Sequence, residues 1–501
     1  MGGAPFGDNC VKLRASSAAA LYVFVAAASR AAPFFLLPIY SYVLTPAEIA
    51  AYGIAAGLAQ LLSILSDGGL GTGIMRTFYD LHPDEDKAAY FLALAMISRA
   101  LALVVLVISV LPVWLIWGLL FDPSIPIWST LPLILGASFL RRSNNLMGTF
   151  YRLQENHLGY TINQLLPPLL QIVIGLSLVL VFHQGFLGAM ATLPAGFGIA
   201  AIVNLIRVRR ARATRRKVSL AELKEVFALG SATLPDELAI WGQQLAVRLA
   251  LALFSTTLQA AIFVFANAPA QLFGPVIDGV QMFVTPVYFR AMKTNEARYL
   301  RQLRSALAVY LGTGAIASLG AIGLFDPLLH AFAPIPYRNS GNVAALMVAG
   351  MMLRGQAMMI TNQLRYAKRN LAGSTNSIIA LVVGYGVFAI LVPSTGAAGA
   401  AVSVCVFSGA SLALNFRTAR ELEGHLLTPR QTLFPNCAVL IALIVQNATR
   451  LGDMAEMTRY LVTAGACLIL GCAVIVRLII PNREIILDAV IGRFRKAAGA
   501  G

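Results

Sequence analysis

Fourteen apolar segments recur along this chain of 501 residues, and each is long enough to cross the hydrocarbon core of a bilayer as a helix. Only 12% of the residues are charged, about half of the ~25% that soluble domains carry. The sequence therefore predicts an all-α polytopic membrane protein with about 14 transmembrane helices. The predicted spans cover residues 17–40, 47–75, 88–120, 129–151, 159–182, 186–206, 231–254, 259–288, 305–330, 342–363, 371–392, 396–416, 433–449 and 458–480.

Basic residues are distributed unevenly between the connections of these spans. Of the 38 Lys and Arg residues, only Arg338, Arg450 and Arg459 fall in the odd-numbered connections, and six fall within spans. The others lie in the even-numbered connections and the two tails. Because cytoplasmic connections collect Lys and Arg, both termini are predicted to be cytoplasmic. The same rule accounts for the net charge of +16, so no nucleic-acid partner is expected.

The longest inner connection, about residues 207–230, separates six spans from the eight that follow. Its end, residues 218–227, has the apolar spacing of an amphipathic helix on the membrane surface. A faint repeat crosses the division, since Asp67-Gly68 and Asp278-Gly279 each precede an aromatic pair beside an Arg. Parallel repeats are a common transporter plan. The predicted organisation is an N-terminal lobe (1–217, spans 1–6), a C-terminal lobe (218–432, spans 7–12), and spans 13–14 with a cytoplasmic tail (433–501).

Three segments carry a recognisable pattern. They are Leu36-Leu-Pro-Ile-Tyr-Ser-Tyr-Val-Leu-Thr-Pro-Ala-Glu48 with Tyr52, Gly68-Gly-Leu-Gly-Thr-Gly-Ile-Met-Arg-Thr-Phe-Tyr-Asp80, and the stretch from Leu223-Lys-Glu-Val-Phe227 through Pro235 to Arg248. Together they resemble the polysaccharide flippases, the O-antigen and exopolysaccharide translocases of the MOP (multidrug/oligosaccharidyl-lipid/polysaccharide) exporter superfamily. The sequence departs from the pattern at Val247, where the family often has Asp, and at Ala50 and Ala261-Ile-Phe263.

This resemblance implies a flippase that moves a polyprenyl-diphosphate-linked oligosaccharide from the inner to the outer leaflet by alternating access. The implied setting is the bacterial cytoplasmic membrane, where surface polysaccharide (O-antigen, exopolysaccharide or capsule) is assembled. The implied partners are the lipid-linked glycan, membrane lipids, and a polysaccharide polymerase with its export machinery. No cofactor or metal is expected.

Six arginines fall within the predicted spans. They are Arg30, Arg99, Arg141, Arg142, Arg248 and Arg354. A charge inside hydrocarbon is costly and usually faces a bundle interior or a wet cavity, and Arg makes bidentate contacts to phosphate. The sequence therefore predicts a cationic cavity for an anionic substrate. Neutralisation by a partner across the bundle, or snorkelling to an interface, is the alternative for each of them.

Four carboxylates lie toward the inner halves of spans. Asp67, Asp278, Asp236 and Glu237 are candidates for ion coupling, because buried carboxylates can exchange protons or bind Na⁺. Helix capping, or pairing with arginines of the inner connections, is the alternative interpretation.

Three other functions remain to be weighed. A cation-coupled multidrug antiporter of the same superfamily would need a cavity rich in acids, whereas arginines predominate here. A peptidoglycan-precursor flippase would share the span count and the cationic cavity. A membrane-embedded glycan polymerase or ligase would need a sizeable outer loop, and the predicted outer connections are all short. The prediction is therefore a secondary transporter without catalytic residues.

Overall fold

The computed structural model of the chain describes residues 24–25, 28, 31–80, 87–154, 156–210, 218–231, 234–274, 297–367, 369–420, 429–452 and 454–482. Within these ranges there are seventeen α-helices and no strand. Every one of the fourteen predicted spans contains a helix, which confirms the predicted all-α polytopic class. The cytoplasmic position of the termini stays a prediction.

Contacts group the chain into two compact units, Met1–Ala268 and Pro269–Gly501. The helices of the first unit are α1 (Ala31–Val43), α2 (Pro46–Asp67), α3 (Leu70–Asp80), α4 (Lys87–Leu120), α5 (Ile127–Leu153), α6 (His157–Leu176), α7 (Gly185–Arg210), α8 (Leu220–Ser231), α9 (Leu234–Trp241), α10 (Val247–Phe254) and most of α11 (Thr257–Gln271). Within this unit, α5 and α6 pack on α7, and α2 packs on α5. The predicted lobe boundary at residues 217/218 stays a prediction.

The second unit is built from the remaining helices. These are α12 (Ala297–Phe332), α13 (Ser340–Tyr366), α14 (Asn370–Thr395), α15 (Ala397–Ala419), α16 (Pro429–Leu451) and α17 (Glu456–Val474). Helix α15 packs on α13 and α14, and α12 packs on α13, α16 and α17. The last two predicted spans are therefore docked on the ninth.

Ten of the described helices are long and apolar enough to cross a membrane. The other four predicted spans depart from a simple apolar helix for local reasons. The first span is described only from residue 31, α5 carries several polar residues, and the described helix of the eighth span, α11, is short. The seventh span is divided into α9 and α10 by a π-helical turn, Gly242–Ala246.

The second predicted span is not one continuous helix. Helix α2 begins with a capping box, in which Thr45 and Glu48 exchange hydrogen bonds. It ends at Gly68 (φ 57°) and Gly69 (φ 80°), whose left-handed backbone angles favour glycine. The chain then resumes as α3, so the span predicted over 47–75 is broken where its glycines cluster.

The predicted amphipathic segment 218–227 forms helix α8, which packs against α3. The backbones approach very closely there: a Cβ at Gly69 would meet the backbone of Gly230, and one at Gly73 would meet that of Val226. Val226 itself is fully buried. Helix α8 is therefore held by protein contacts, and its position at the membrane surface stays a prediction.

A buried amide network joins three helices of the first unit. The Tyr151 hydroxyl donates to Asn204 Oδ1 (2.9 Å), and Asn204 Nδ2 donates to Asn163 Oδ1 (2.6 Å). The side chains of Asn163 and Asn144 each donate to the other residue's carbonyl oxygen, at 3.0 and 3.2 Å. The network ties α5, α6 and α7 together near the predicted inner ends of these helices.

The second unit contains a network at corresponding helix positions. Asn376 Nδ2 donates to Asn415 Oδ1 (2.9 Å), and Asn415 Nδ2 donates to the Thr361 hydroxyl (3.2 Å). Asn163 and Asn376 each lie six residues after the first residue of their helix, α6 and α14 respectively. The two asparagines thus occupy the same position along the fifth and eleventh predicted spans, and the six-span repeat stays a prediction.

Candidate functional site

One face of α2 carries the polar contacts of the candidate site. Gly53, Gly57, Gln60 and Asp67 are spaced by four, three and seven residues, which at 3.6 residues per turn places them in one stripe along the helix. Each of the four receives a basic or aromatic side chain from another helix of the first unit. This α2 stripe is the centre of the site.

Two side chains of the seventh predicted span donate hydrogen bonds to the first half of the α2 stripe. Arg248 Nη1 donates to the Gly53 carbonyl oxygen at 3.1 Å, and Trp241 Nε1 donates to the Gly57 carbonyl oxygen at 2.9 Å. Arg248 is only 7% exposed. The two donors flank the π-helical turn Gly242–Ala246, a distortion found mostly at functional sites.

Both glycines of this half are also packing positions. A Cβ at Gly53 would overlap the Val264 side chain, whereas one at Gly57 would lie 3.4 Å from Leu245 Cβ, an ordinary contact. Small residues four apart allow membrane helices to approach closely. The pair Gly53 and Gly57 therefore admits two other helices to within van der Waals contact of α2.

The second half of the α2 stripe meets consecutive arginines of α5. Arg141 Nη2 donates to Gln60 Oε1 at 3.2 Å. Arg142 Nη2 lies 3.6 Å from Asp67 Oδ1, which is an ion pair at a distance too long for a hydrogen bond. Asp67 in turn accepts a hydrogen bond from the backbone N–H of Gly71 (3.0 Å).

Arg142 is a buried arginine whose hydrogen-bond donors are unused. It is 1% exposed, and none of its guanidinium nitrogens has a hydrogen-bond partner among the described residues. A second cation, Arg99 on α4, is close enough to interact with it electrostatically. A buried polar group without partners is costly, so Arg142 keeps its donors available at an energetic cost.

Two further predicted carboxylates approach the same end of α2. Asp236 and Glu237 lie in the first turn of α9, half-buried, and Glu237 interacts electrostatically with both Asp67 and Asp236. Three of the four predicted coupling carboxylates are therefore near enough to interact electrostatically. Within the described ranges, no group of three His, Cys, Asp or Glu side chains has the arrangement that holds a metal ion.

The remaining predicted site residues lie elsewhere. Arg30 and Asp278 fall outside the described residues. Arg354 is half-buried on α13 in the second unit. Arg354 and Arg141 each lie fourteen residues after the first residue of their helix, Ser340 and Ile127 respectively. The two arginines thus occupy the same position along the fourth and tenth predicted spans.

Four members of the site are missing from the sequence-based prediction. Gln60 and Trp241 were not singled out, because an isolated amide or indole in an apolar span has no distinctive pattern. The small residues Gly53-Ile-Ala-Ala-Gly57 did offer a signal, since Gly-x-x-x-Gly marks a close helix crossing in membranes. The hydrogen bonds at their carbonyl groups depend on helices far away in the sequence.

Comparison with known proteins places the fold. No family model and no curated protein sequence matches the chain. The structure is similar to that of the lipid II flippase MurJ in an inward-closed conformation, with a TM-score of 0.69 and 13% identity over 92% of this chain and 100% of that one.

Multidrug transporters have a similar structure. An inward-facing MATE family transporter of the MOP superfamily aligns with a TM-score of 0.60 and 15% identity, covering 82% of this chain and 96% of that one. A eukaryotic MATE transporter aligns with a TM-score of 0.55 and 13% identity, covering 85% and 98%. The chain therefore has the same fold as these transporters.

Proposed function

We propose that this protein is a flippase for a polyprenyl-diphosphate-linked oligosaccharide. It would carry its substrate from the inner to the outer leaflet of the bacterial cytoplasmic membrane, for assembly of a surface polysaccharide. The observation that carries the proposal is the cluster of Arg99, Arg141 and Arg142, of which Arg142 is fully buried without a hydrogen bond among the described residues.

The unused hydrogen-bond donors of this cluster favour an anionic ligand. Arg141 is bonded to a neutral amide, whereas Arg142 has no hydrogen-bond partner among the described residues and lies 3.6 Å from the Asp67 carboxylate. Guanidinium groups remain protonated in proteins and form paired hydrogen bonds with phosphate oxygens. A diphosphate would supply the acceptors that Arg142 lacks.

The mechanism is alternating access without bond cleavage. The two predicted lobes, 1–217 and 218–432, would open in turn to each leaflet while the arginines hold the diphosphate and polar cavity walls take the sugars. The prenyl tail would remain in lipid beside the predicted spans 13 and 14. Because the sequence has no nucleotide-binding loop, the energy would come from an ion gradient, the membrane potential or removal of product by a polymerase and export machinery.

The second candidate is a peptidoglycan-precursor flippase. The similarity to the MurJ structure, over 92% of this chain, favours it, and its substrate presents the same diphosphate. A multidrug antiporter is less compatible with the charges, because cationic drugs would be repelled by the arginine cluster.

The test is a deletion strain complemented with the wild type, Arg142→Ala or Arg152→Ala. Arg152 lies on the same helix, α5, but is exposed, so it is the matched control. The undecaprenyl-linked oligosaccharide inside spheroplasts and the surface polysaccharide are both quantified at equal expression.

We expect lipid-linked oligosaccharide to accumulate inside the deletion strain and surface polysaccharide to be lost. The wild type and Arg152→Ala should restore export, and Arg142→Ala should not. Accumulation of the peptidoglycan precursor instead would favour the second candidate. Normal polysaccharide with altered drug sensitivity, once a redundant flippase has been excluded, would contradict the proposal and favour an antiporter.

A further inference from the structure

The ion pair between Asp67 and Arg142 joins a predicted coupling carboxylate to a predicted substrate-binding arginine. The side chain of Asp67 is 23% exposed, whereas that of Arg142 is 1% exposed. The carboxylate is therefore more accessible than the guanidinium in this conformation. An anion reaches the guanidinium only when α2 and α5 move apart.

We propose that Asp67 and Arg142 form a proton-operated anion switch, in which protonation of Asp67 releases Arg142 to bind the phosphate groups of the substrate. This inference rests on the proposed function for the identity of the natural substrate. The ionised carboxylate and the phosphate compete for one guanidinium, so only one of them can be its counter-ion at a time.

The geometry explains why Arg142 can change partner. Its contact with Asp67 is 3.6 Å long and includes no hydrogen bond, and its donors have no partner among the described residues. A buried Arg that already made its full set of bonds would lose them on binding a ligand. Arg142 has none of these to lose, so a phosphate that supplies acceptors at hydrogen-bond distance adds interactions.

Charged groups on two other helices act on the pair. Arg99 of α4 repels the charge of Arg142, which favours an additional anion. Glu237 of α9 interacts with Asp67 and with Asp236, and like charge favours the protonated carboxylate. The same two carboxylates oppose a bound anion, so the anion binds best when the carboxylates are protonated.

Linkage makes the coupling reciprocal. If protonation of Asp67 strengthens anion binding by a given factor, anion binding strengthens proton binding by the same factor. The binding constant must then rise as pH falls through the titration of Asp67, and binding at higher pH must draw a proton from solution. Typical couplings between two sites are about 5- to 150-fold.

The experiment measures binding of farnesyl diphosphate to the full chain in nanodiscs from about pH 8 to about pH 5. The first variant is Asp67→Asn, which removes the titrating carboxylate of Asp67. The second is Glu48→Gln, the matched control at the other end of α2. The diphosphate itself titrates in this range, and Asp67→Asn retains that contribution together with those of Asp236 and Glu237, so the difference between the two proteins reports Asp67.

We expect the wild type to bind about tenfold more weakly than Asp67→Asn at the high end of the range, and the two to converge at the low end. Glu48→Gln should follow the wild type. Calorimetry in two buffers of different ionisation enthalpy should show that wild type takes up more protons on binding than Asp67→Asn does.

Parallel profiles of wild type and Asp67→Asn would overturn the switch, as would equal proton uptake. If Asp67→Asn misfolds, proton uptake by the wild type on binding of sulfate, which does not titrate in this pH range, tests the switch without that variant. Absence of binding at every pH would also overturn it. The accumulation assay in cells decides the proposed function separately, so failure of the switch and failure of the flippase assignment remain distinguishable.

Discussion

The Arg248 guanidinium donates to the backbone carbonyl of Gly53, at 3.1 Å and with the arginine almost fully buried. A helical side chain covers the turn that precedes its own Cα, and the residue one turn after Gly53 is Gly57, so the helix leaves the Gly53 carbonyl oxygen open to the arginine. The bond joins the second and seventh predicted spans, which the sequence assigns to different lobes. It lies within the first compact unit, one turn of α2 from the bond that Trp241 makes.

The Trp241 indole can be tested without removing the ring. Trp241→Phe keeps most of the aromatic surface but removes the donor to the Gly57 carbonyl oxygen. Since side-chain hydrogen bonds between membrane helices contribute about 1 kcal/mol, the midpoint of thermal unfolding in detergent should fall modestly. Trp128→Phe is the control, because Trp128 is 73% exposed. An equal fall of the midpoint in both variants would contradict a stabilising role for the hydrogen bond of Trp241.

Gly53 should tolerate a methyl group far less well than Gly57. A Cβ at Gly53 would overlap Val264, whereas at Gly57 it makes an ordinary contact with Leu245. Overpacking costs about 1–3 kcal/mol, so Gly53→Ala should lower the unfolding midpoint and Gly57→Ala should change it little.

Gly118→Ala on α4 is the reference for this comparison, because nothing lies near its added methyl group. It should leave the midpoint unchanged or raise it slightly, since Ala favours helix more than Gly. Equal effects of Gly53→Ala and Gly118→Ala would show that α2 is not closely packed at Gly53.

Asn163 is the centre of the amide network of the first unit. Its side chain accepts from Asn204 and donates to Asn144, so Asn163→Leu leaves buried polar groups without partners. Each such group costs about 1–3 kcal/mol, and the unfolding midpoint should fall clearly. Asn145→Leu is the control, because Asn145 is exposed on α5. A similar midpoint for the two variants would contradict a structural role for the network.

Asp326 holds the last two predicted spans to the ninth. It is 5% exposed and pairs with Arg450 of α16 and Arg459 of α17. Asp326→Asn leaves both arginines without this counter-ion, and we expect a loss of about 2 kcal/mol because the arginines are themselves partly exposed. A lower unfolding midpoint and faster proteolysis of α16–α17 would report this loss of stability.

The exposed pair in the same region provides the comparison for Asp326. His330 Nε2 lies 3.3 Å from Glu456 Oε2, and both side chains are substantially exposed. Exposed ion pairs contribute little, so Glu456→Gln should behave as wild type. If Glu456→Gln were as damaging as Asp326→Asn, burial would not be the reason for the effect.

The helical spans were predicted correctly because their signal is local. Apolar runs such as α4 and α14 are helical in lipid wherever they pack, since the backbone must satisfy its own hydrogen bonds. The broken second span was missed, although Gly68 and Gly69 were visible, because only the left-handed angles show that the helix ends there. The π-helical turn at Gly242–Ala246 has no local sequence signal at all.

The individual arginines were harder to interpret. The sequence predicts that Arg248 belongs to a cationic cavity, and the structure shows it donating to a backbone carbonyl on α2. Arg142 was predicted to lie in a cationic cavity, and the structure places it beside Asp67. Their direct role in binding substrate stays a prediction.

The sequence by itself determined that this chain is an all-helical membrane protein and that it keeps an excess of arginine within its spans. Both follow from the cost of unpaired backbone groups and charges in hydrocarbon, which depends on composition along a segment. The tertiary structure alone decided which side chain each arginine faces. Arg142 meets Asp67, and Arg141 meets Gln60, because α2 and α5 pack against each other. Partners that are distant in sequence are brought within a few ångströms only by helix packing.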